Sequence, residues 1–134
     1  MLDLTLLPGD YAICRLPARS PMPAGLAEAT MSGAEVISVT WTPEEVSILC
    51  PAAAVGLLPP EGATVEAPWR CLRVAGPVQL ALTGILASIV SPLAEARVNI
   101  FAFSTFDTDY LLVPAVRLSE ALAALGDAGH RVST

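Results

Sequence analysis

Short apolar runs of strand length alternate along this chain with stretches of helical periodicity. Seven strands are predicted, most of them bounded by Pro, Gly or Asp, at Leu2–Leu7, Tyr11–Leu16, Glu35–Thr40, Val46–Cys50, Cys71–Ala75, Asn99–Ser104 and Tyr110–Val113. Helices are predicted at Ala24–Met31, Ala52–Leu58, Ile85–Ala96 and Leu118–Leu125, and a last short strand at His130–Val132. The pattern therefore predicts a protein that mixes strands and helices.

The clearest helical pattern spans Ile85–Ala96. Its apolar residues fall on one broad face, at Ile85, Leu86, Ile89, Val90 and Leu93. Pro92 lies inside this pattern, has no N–H and clashes with the carbonyl of Ser88. We expect Pro92 to kink the helix, or to end one helical segment and begin another.

The two halves of the chain repeat one order of elements. The second half reads βαββαβ, and the first half follows the same order with its second helix shortened to Ala52–Leu58. The segment Leu2–Leu7 is an extra leading strand in this scheme. The loop Pro59-Pro60-Glu61-Gly62 is the natural joint. A tandem duplication is predicted, with one repeat at residues 1–60 and the other at residues 61–134.

The most informative segment, Asn99–Pro114, reads as a strand, a tight turn and a strand. Polar residues cluster at its bend, at Ser104, Thr105, Asp107, Thr108 and Asp109. A fainter copy lies at Ile37–Pro51, where Thr40-Trp41 takes the place of Thr105-Phe106 and the hairpin is one residue longer. This second hairpin supports the duplication.

Charge is sparse and mostly negative. The chain has seven Arg, no Lys and thirteen Asp plus Glu, which gives a net charge of −6. Because the arginines are scattered, no basic face exists for a nucleic acid backbone. Without lysine the chain cannot form a Schiff base with a carbonyl cofactor, nor bind phosphate through a phosphate-loop lysine. Nucleic acid is excluded as a partner, and no cofactor is expected.

The cysteines and the apolar segments favour a soluble protein of the reducing cytoplasm. Cys14, Cys50 and Cys71 are odd in number and far apart, so neither a disulfide framework nor a Cys-x-x-Cys metal site is supported. The amino terminus lacks the basic flank and the apolar run of a signal peptide. The most apolar later segment, Val78–Val90, is too short to cross a bilayer. We expect a cytoplasmic location and no membrane partner.

The side chains offer little for catalysis. His130 is the only histidine and lies near the carboxyl end, where we expect a solvated or edge-strand residue. Serine and cysteine triads and two-His zinc sites are therefore excluded. Asp107 is expected to cap backbone N–H groups of its turn. Since no nucleophile, base or further metal ligand lies near Asp107 and Asp109, neither an enzyme nor a bound metal is predicted.

Two places suit the opposite charges of an amino acid. Asp109, at the start of a strand, can accept hydrogen bonds from an ammonium group. The loop Gly76–Gly84 ends at Thr83, where a helix begins, and the unpaired N–H groups of a helix start suit a carboxylate. A simple N-cap at Thr83 accounts for the same residues. Acting together, the two places would form an amino-acid pocket.

Three segments carry a family resemblance, at Trp69–Val74, Leu82–Ala96 and Phe103–Val113. They resemble the small two-repeat ACT-domain proteins of bacteria, which are similar in turn to one half of the animal arginine sensor CASTOR. The match is specific over Trp69–Pro114 and looser over Asp10–Pro51. It implies an α+β fold of two tandem ACT-like repeats, each a ferredoxin-like βαββαβ unit, with antiparallel sheets that carry helices on one face.

The resemblance also implies a function without catalysis. An amino acid would bind at the interface between paired ACT repeats of a homodimer, and a regulated protein partner would respond to it. The ligand-binding positions carried over are Thr83, Gly84, Ile85, Thr105, Phe106 and Asp109, with Gln79 on the preceding loop and Asn99 and Ile100 offered from the facing repeat. The first repeat is not expected to hold a site, because it lacks a counterpart of Asp109.

Two questions stay open at this point. The net charge favours a cationic amino acid, whereas Leu82, apolar where the arginine sensor has an acidic residue, favours an apolar one. The alternative function is a structural protein–protein interaction module that binds no ligand, its pocket being filled by side chains.

Overall fold

The structure of the chain, a computed structural model, describes residues 2–29, 36–75 and 84–134. Within these ranges the elements follow in the order β1 (Asp3–Leu6), β2 (Tyr11–Pro17), α1 (Leu26–Ala29), β3 (Ser38–Trp41), β4 (Glu45–Pro51), a 3₁₀ helix (Ala52–Leu57), β5 (Thr64–Val74), α2 (Ile85–Glu95), β6 (Phe101–Ser104), β7 (Asp109–Pro114), a 3₁₀ turn (Ala115–Arg117), α3 (Leu118–Asp127) and β8 (Arg131–Ser133). The chain is α+β, as predicted. No helix in the described ranges is both long and apolar enough to cross a membrane.

Two predicted helices of the first half are shorter or of another type. The segment Ala52–Leu57 is a 3₁₀ helix and not an α-helix. Its next residue, Leu58, has an extended backbone and precedes Pro59, and a residue before proline disfavours the α conformation. The helix predicted at Ala24–Met31 is α-helical at Leu26–Ala29, and residues 30 and 31 lie outside the described part of the chain.

Strand β5 is longer than the strand predicted at Cys71–Ala75. The strand begins at Thr64 and runs through Pro68 to Val74. The pairing of β5 with β2 is irregular between Tyr11 and Ile13. At such an irregularity a proline without an N–H is tolerated within a strand.

Pro92 lies inside α2 without ending it, so of the two outcomes expected from the sequence, a kink or a break, the break does not occur. The helix is one segment from Ile85 to Glu95. Residue 92 has no N–H for the carbonyl of Ser88, and that carbonyl accepts a hydrogen bond from Nε2 of His130 at 2.8 Å. His130 is therefore buried and not solvated, with 6% of its surface exposed. His130 thus donates the hydrogen bond that the Ser88 carbonyl cannot receive from Pro92.

The chain divides into two compact units, which we call the amino-terminal unit (Gly9–Trp69) and the carboxy-terminal unit (Met1–Pro8 with Arg70–Thr134). In the amino-terminal unit the strand order is β3-β4-β2-β5, and each neighbouring pair is antiparallel. Apolar residues at alternate positions of β2 and β4 pack with α1 and the 3₁₀ helix. The buried core of this unit is Ala12, Cys14, Leu16, Leu26, Val46, Ile48, Cys50, Ala54 and Leu58.

In the carboxy-terminal unit the strand order is β8-β1-β5-β7-β6. Strands β1 and β8 run parallel, so this sheet is mixed and not antiparallel as expected. The cause is the leading strand β1, which pairs antiparallel with β5 and lies between β5 and β8. Strand β8 therefore still runs antiparallel to β5, although it pairs with β1 and not with β5.

The leading strand supplies part of the core of the carboxy-terminal unit. Its alternate residues Leu4 and Leu6 are buried against α2 and α3. The remaining buried residues of this core are Leu72, Val74, Ile89, Leu93, Val98, Leu111, Val113, Ala121 and Leu125. The sheet and two helices of this unit thus form a two-layer structure.

Candidate amino-acid site

The start of α2 is formed by a glycine in a left-handed conformation. Gly84 is the N-cap residue of α2, with φ of 83°. A Cβ built on Gly84 meets no atom of the described residues within 4 Å, so these residues leave the space beside it open. The helix begins at Ile85, and the N–H of Ser88 donates to the carbonyl of Gly84 at 2.9 Å. Thr83 and Gln79, also predicted for this side, lie outside the described residues.

The turn between β6 and β7 is closed by hydrogen bonds. Ser104 and Asp109 are paired residues of the two strands, and the Ser104 hydroxyl donates to Oδ1 of Asp109. The N–H of Thr105 donates to the carbonyl of Thr108 at 2.8 Å. Phe106 stands at the tip, with 86% of its surface exposed. This turn brings together Thr105, Phe106 and Asp109, as predicted for neighbours on one hairpin.

Thr108 ties the turn to the end of β5. Its side chain is buried, and its hydroxyl donates to the carbonyl of Val74 at 2.8 Å. Val74 is the last residue of β5, from which the chain leads on to α2. The sequence places Thr108 in the polar cluster but gives it no role, because its partner lies 34 residues away.

His130 ties the first turn of α2 to the same end of the sheet. The N–H of Ala75, next to β5, donates to the carbonyl of Asp3 at 2.8 Å. The N–H of Leu2 donates to Nδ1 of His130 at 3.1 Å, and Nε2 of His130 donates to the Ser88 carbonyl. The two hydrogen-bond partners of His130 lie 42 and 128 positions away in the sequence, so no local pattern predicts these contacts. The polar turn and the start of α2 therefore share one end of the unit.

Asp109 is the carboxylate best placed to bind a ligand at this end. It is half-buried, and Oδ1 accepts the hydrogen bond from Ser104. No described residue donates to its other oxygen, so an ammonium group can do so. Asp107 is exposed and accepts no hydrogen bond from the described residues. The predicted Asp107 cap is wrong, because Thr105 and Thr108 close the turn instead.

Asn99 and Ile100 lie at the other end of β6. They precede Phe101, the first residue of that strand, whereas Thr105 and Asp109 follow its last residue. Asn99 is exposed, and Ile100 packs against the core of the carboxy-terminal unit. Within one unit these two residues are not brought together with the turn.

The described residues offer no constellation for metal binding or covalent catalysis. No group of three or more His, Cys, Asp or Glu side chains lies close enough to hold a metal ion in the described ranges. Burial raises the pKa of the Cys71 thiol to about 12. The hydrogen bond between Cys14 and Cys50, together with burial, raises the pKa of Cys50. The same hydrogen bond lowers the pKa of Cys14, against the opposing effect of burial. All three thiols are buried.

The amino-terminal unit contains the same hydrogen-bonded turn. The N–H of Thr42 donates to the carbonyl of Glu45 at 2.9 Å, the bond that joins Thr105 to Thr108 in the other unit. Thr42, and not Thr40, is thus the counterpart of Thr105. The first hairpin has no extra residue, and the alignment drawn from the sequence is wrong because it matched aromatic residues rather than the turn.

The amino-terminal unit differs where a ligand would bind. Val46, which is buried, takes the place of Asp109 in the hairpin pairing. Gly25 has φ of 84°, close to that of Gly84, and also precedes a helix. A Cβ on Gly25 would lie 3.6 Å from Cδ2 of Leu57, whereas the space beside Gly84 is open. The first unit therefore has neither the carboxylate nor the open space.

Comparison with known proteins agrees with this description. Residues 64–127 match the sequence model of the ACT domain. The cytosolic arginine sensor for mTORC1 subunit 1 of Bos taurus is 35% identical over 101 residues, which are 70% of this chain and 31% of that protein. The chain thus spans about a third of the length of this curated relative.

Two solved structures share the fold. The crystal structure of protein Atu0741 from Agrobacterium tumefaciens has a TM-score of 0.82 and 35% identity, covering 98% of this chain and 91% of that one. The regulatory subunit of aspartate kinase from Thermus thermophilus, in its ligand-free form, has a TM-score of 0.65 and 17% identity, covering 94% and 97%. The βαββαβ order, the family match and these similarities lead to one conclusion: the chain belongs to the ACT-domain family and is similar to part of the animal arginine sensors.

Proposed function

We propose that this chain is a non-catalytic regulatory protein that binds a free amino acid at the end of its carboxy-terminal unit. One observation carries the proposal. Thr108 fastens the β6–β7 turn to the end of β5, and this holds Asp109 at the same end of the sheet as the open start of α2. A free amino acid carries the two charges that these groups complement.

In this proposal each end of the ligand has its own partner. Asp109 accepts hydrogen bonds from the ammonium group through the oxygen that Ser104 does not occupy. The first N–H groups of α2 have no partner within the helix and face the carboxylate, with Gly84 leaving room for it. Thr83 and Gln79 would complete this side, and Thr105 and Phe106 would border the side chain of the ligand.

We further propose that the units are tandem ACT-like repeats and that two chains pair as a homodimer. Both units contain the closed Thr turn and a positive-φ glycine before a helix. The amino-terminal unit has the strand order of a ferredoxin-like repeat if β5 is counted as its last strand. Asn99 and Ile100, remote from the turn in their own unit, would reach the ligand from the facing repeat.

Two observations point to different side chains for the ligand. The bovine relative is an arginine sensor, and the net charge of −6 agrees with a cationic ligand. Leu82, in contrast, favours an apolar side chain. From the same relative we also propose a cytoplasmic location and a protein partner that responds to the ligand.

A thermal-shift screen of the purified chain against the standard amino acids tests the binding. A ligand at about a hundred times its dissociation constant stabilises a protein by roughly 2.7 kcal/mol, which raises the melting temperature by several degrees. Asp109→Ala should weaken binding by about 1.5–3 kcal/mol, the range for hydrogen bonds to charged groups. Asp107→Ala is the matched control, since it removes the same charge from the same turn.

The outcomes separate the two functions. A shift with one chemical class of amino acid, lost in Asp109→Ala and kept in Asp107→Ala, supports the sensor. Equal loss in both variants would show that only the charge of the turn matters. No shift with any amino acid would favour the alternative, an interaction module that binds no ligand.

A further inference from the structure

The amino-terminal unit has a surface groove that the proposed amino-acid site does not use. The groove has a volume of about 620 Å³ and is lined by Leu16, Pro17 and the segments 20–24 and 57–61. All of these residues belong to the amino-terminal unit. The volume falls within the roughly 300–1,000 Å³ of binding pockets in proteins. Size alone therefore permits an occupant.

The walls of the groove are apolar and conformationally restricted. Five lining residues are prolines, namely Pro17, Pro21, Pro23, Pro59 and Pro60. Proline fixes φ, so these walls lose little conformational entropy when a partner binds. Met22 and Leu57 also line the groove, and each has 42% of its surface exposed. A methionine adapts readily to the shape of an apolar partner.

Trp41 extends the apolar surface at one side of the groove. The indole Nε1 donates to the carbonyl of Ser20, a lining residue, at 3.0 Å. This bond fixes the ring, which nevertheless has 51% of its surface exposed. A half-exposed indole with its polar atom satisfied is a common anchor in protein interfaces.

The net charge of the amino-terminal unit indicates which charge a partner in the groove would carry. Residues 9–69 contain seven carboxylates and two arginines, a net charge of −5, whereas the other unit carries −1. Glu61 is exposed and lines the groove. Glu44 lies on the turn that follows Trp41, and Glu45 is the first residue of β4. An acidic unit with a carboxylate in the wall of its apolar groove complements a segment that is both apolar and basic.

We propose that this groove docks a short segment of another protein in which apolar side chains lie next to lysine or arginine. The apolar side chains contact Met22, Leu57 and the prolines, and the basic groups face Glu61 and the turn that follows Trp41. A free amino acid is a poor occupant, because none of the described lining residues carries a positive charge for its carboxylate. The docking is independent of the ligand site in the carboxy-terminal unit.

The test is the affinity of the full chain for a fluorescently labelled short peptide in which lysine and leucine alternate, measured by anisotropy. Met22→Asp should weaken binding about tenfold, because a large apolar side chain no longer buries its surface. Val116→Asp is the matched control: Val116 has 85% of its surface exposed, lies in the carboxy-terminal unit and gives the same charge change. Leu57→Asp provides a second variant in the groove, in case Met22→Asp fails to fold.

Expected results are tight binding by the wild type and by Val116→Asp, and weak binding by both groove variants. A peptide with glutamate in place of lysine, and one with serine in place of leucine, should bind weakly to all of them. Equal affinity in Met22→Asp and Val116→Asp overturns the proposal, as does equal binding of the glutamate peptide. Self-association that Met22→Asp abolishes would assign the groove to a second copy of the chain and also overturns it.

Discussion

At the scale of single residues, the position of the proposed binding turn depends on one buried hydroxyl. Thr108 donates to the carbonyl of Val74 at 2.8 Å, and 9% of its surface is exposed. A buried carbonyl that loses its donor cannot turn to water. The hydroxyl of Thr108 therefore both stabilises the unit and fixes the turn that carries Asp109.

Replacing this hydroxyl by a methyl group tests its role. Thr108→Val keeps the shape but leaves the Val74 carbonyl unpaired, and should lower the free energy of unfolding by about 1–3 kcal/mol. Urea denaturation measures the change. Thr108→Ser retains the donor and should lose much less. If Ser and Val cost the same, the methyl group and not the hydrogen bond matters at this position.

Sequence reasoning found the residues of the turn because their signal is local. Ser104, Thr105 and Asp109 lie between two apolar runs, where a polar cluster predicts a turn. From the sequence His130 was expected to be solvated or on an edge strand, and it is buried just before β8 because its ring bonds to Leu2 and Ser88, which lie far away in the chain. No periodicity or spacing connects a histidine to a proline 38 positions earlier.

At the scale of elements, α2 shows how a fold tolerates a proline inside a helix. Pro92 removes one N–H, and the carbonyl of Ser88 then needs another donor. His130, at the start of the segment that leads into β8, supplies it at 2.8 Å and binds Leu2 through its other ring nitrogen. The helix remains continuous because a distant residue replaces one bond of its own ladder.

A double-mutant cycle between these positions tests the compensation. His130→Ala alone should lower the free energy of unfolding by about 1–3 kcal/mol, because it leaves Ser88 and Leu2 without partners. In Pro92→Ala the N–H of residue 92 can bond to the Ser88 carbonyl, so His130→Ala should cost about 1 kcal/mol less there. Chemical denaturation of the four proteins measures both values. Identical costs in the two backgrounds would argue against the compensation.

The predicted element boundaries agree with the structure where apolar alternation is strong and differ from it near prolines. Strand β7 was predicted at Tyr110–Val113 and extends by one residue at each end. Strand β5 was predicted only from Cys71, whereas it begins at Thr64 and contains Pro68, and the helix predicted at Ala52–Leu58 is a 3₁₀ helix that ends before Pro59. The pairing of β5 with β2, which accommodates Pro68, is not a local property of the sequence.

At the scale of the whole molecule, sequence order and spatial grouping differ. Strand β1 precedes β2 in the chain, yet it pairs with β5 and β8 of the carboxy-terminal unit. Leu4 has 2% of its surface exposed and lies in the core of that unit. From the sequence, β1 was assigned to the repeat at residues 1–60, because its position along the chain was the only available guide.

Amide hydrogen exchange can show to which unit the leading strand contributes. Leu4→Ala should destabilise the protein by about 2–5 kcal/mol, the range for a buried leucine. We expect exchange to accelerate mainly in residues 84–134 and little in β2 and β4. Leu16→Ala is the matched variant, since Leu16 lies in the core of the amino-terminal unit, and should show the reverse. Faster exchange in β2 and β4 after Leu4→Ala would contradict the grouping.

The pairing of β1 with β8 also sets an order of events during synthesis on the ribosome. Asp3 and Arg131, neighbours on these strands, are 128 residues apart in the chain. Residues 9–69 can complete their own core while later residues are still being made. The apolar side chains of β1 must wait until β5, and then β8, have emerged. Strand β1 is thus translated before the strands that bury it, and a nascent chain exposes its apolar side chains until those strands have emerged.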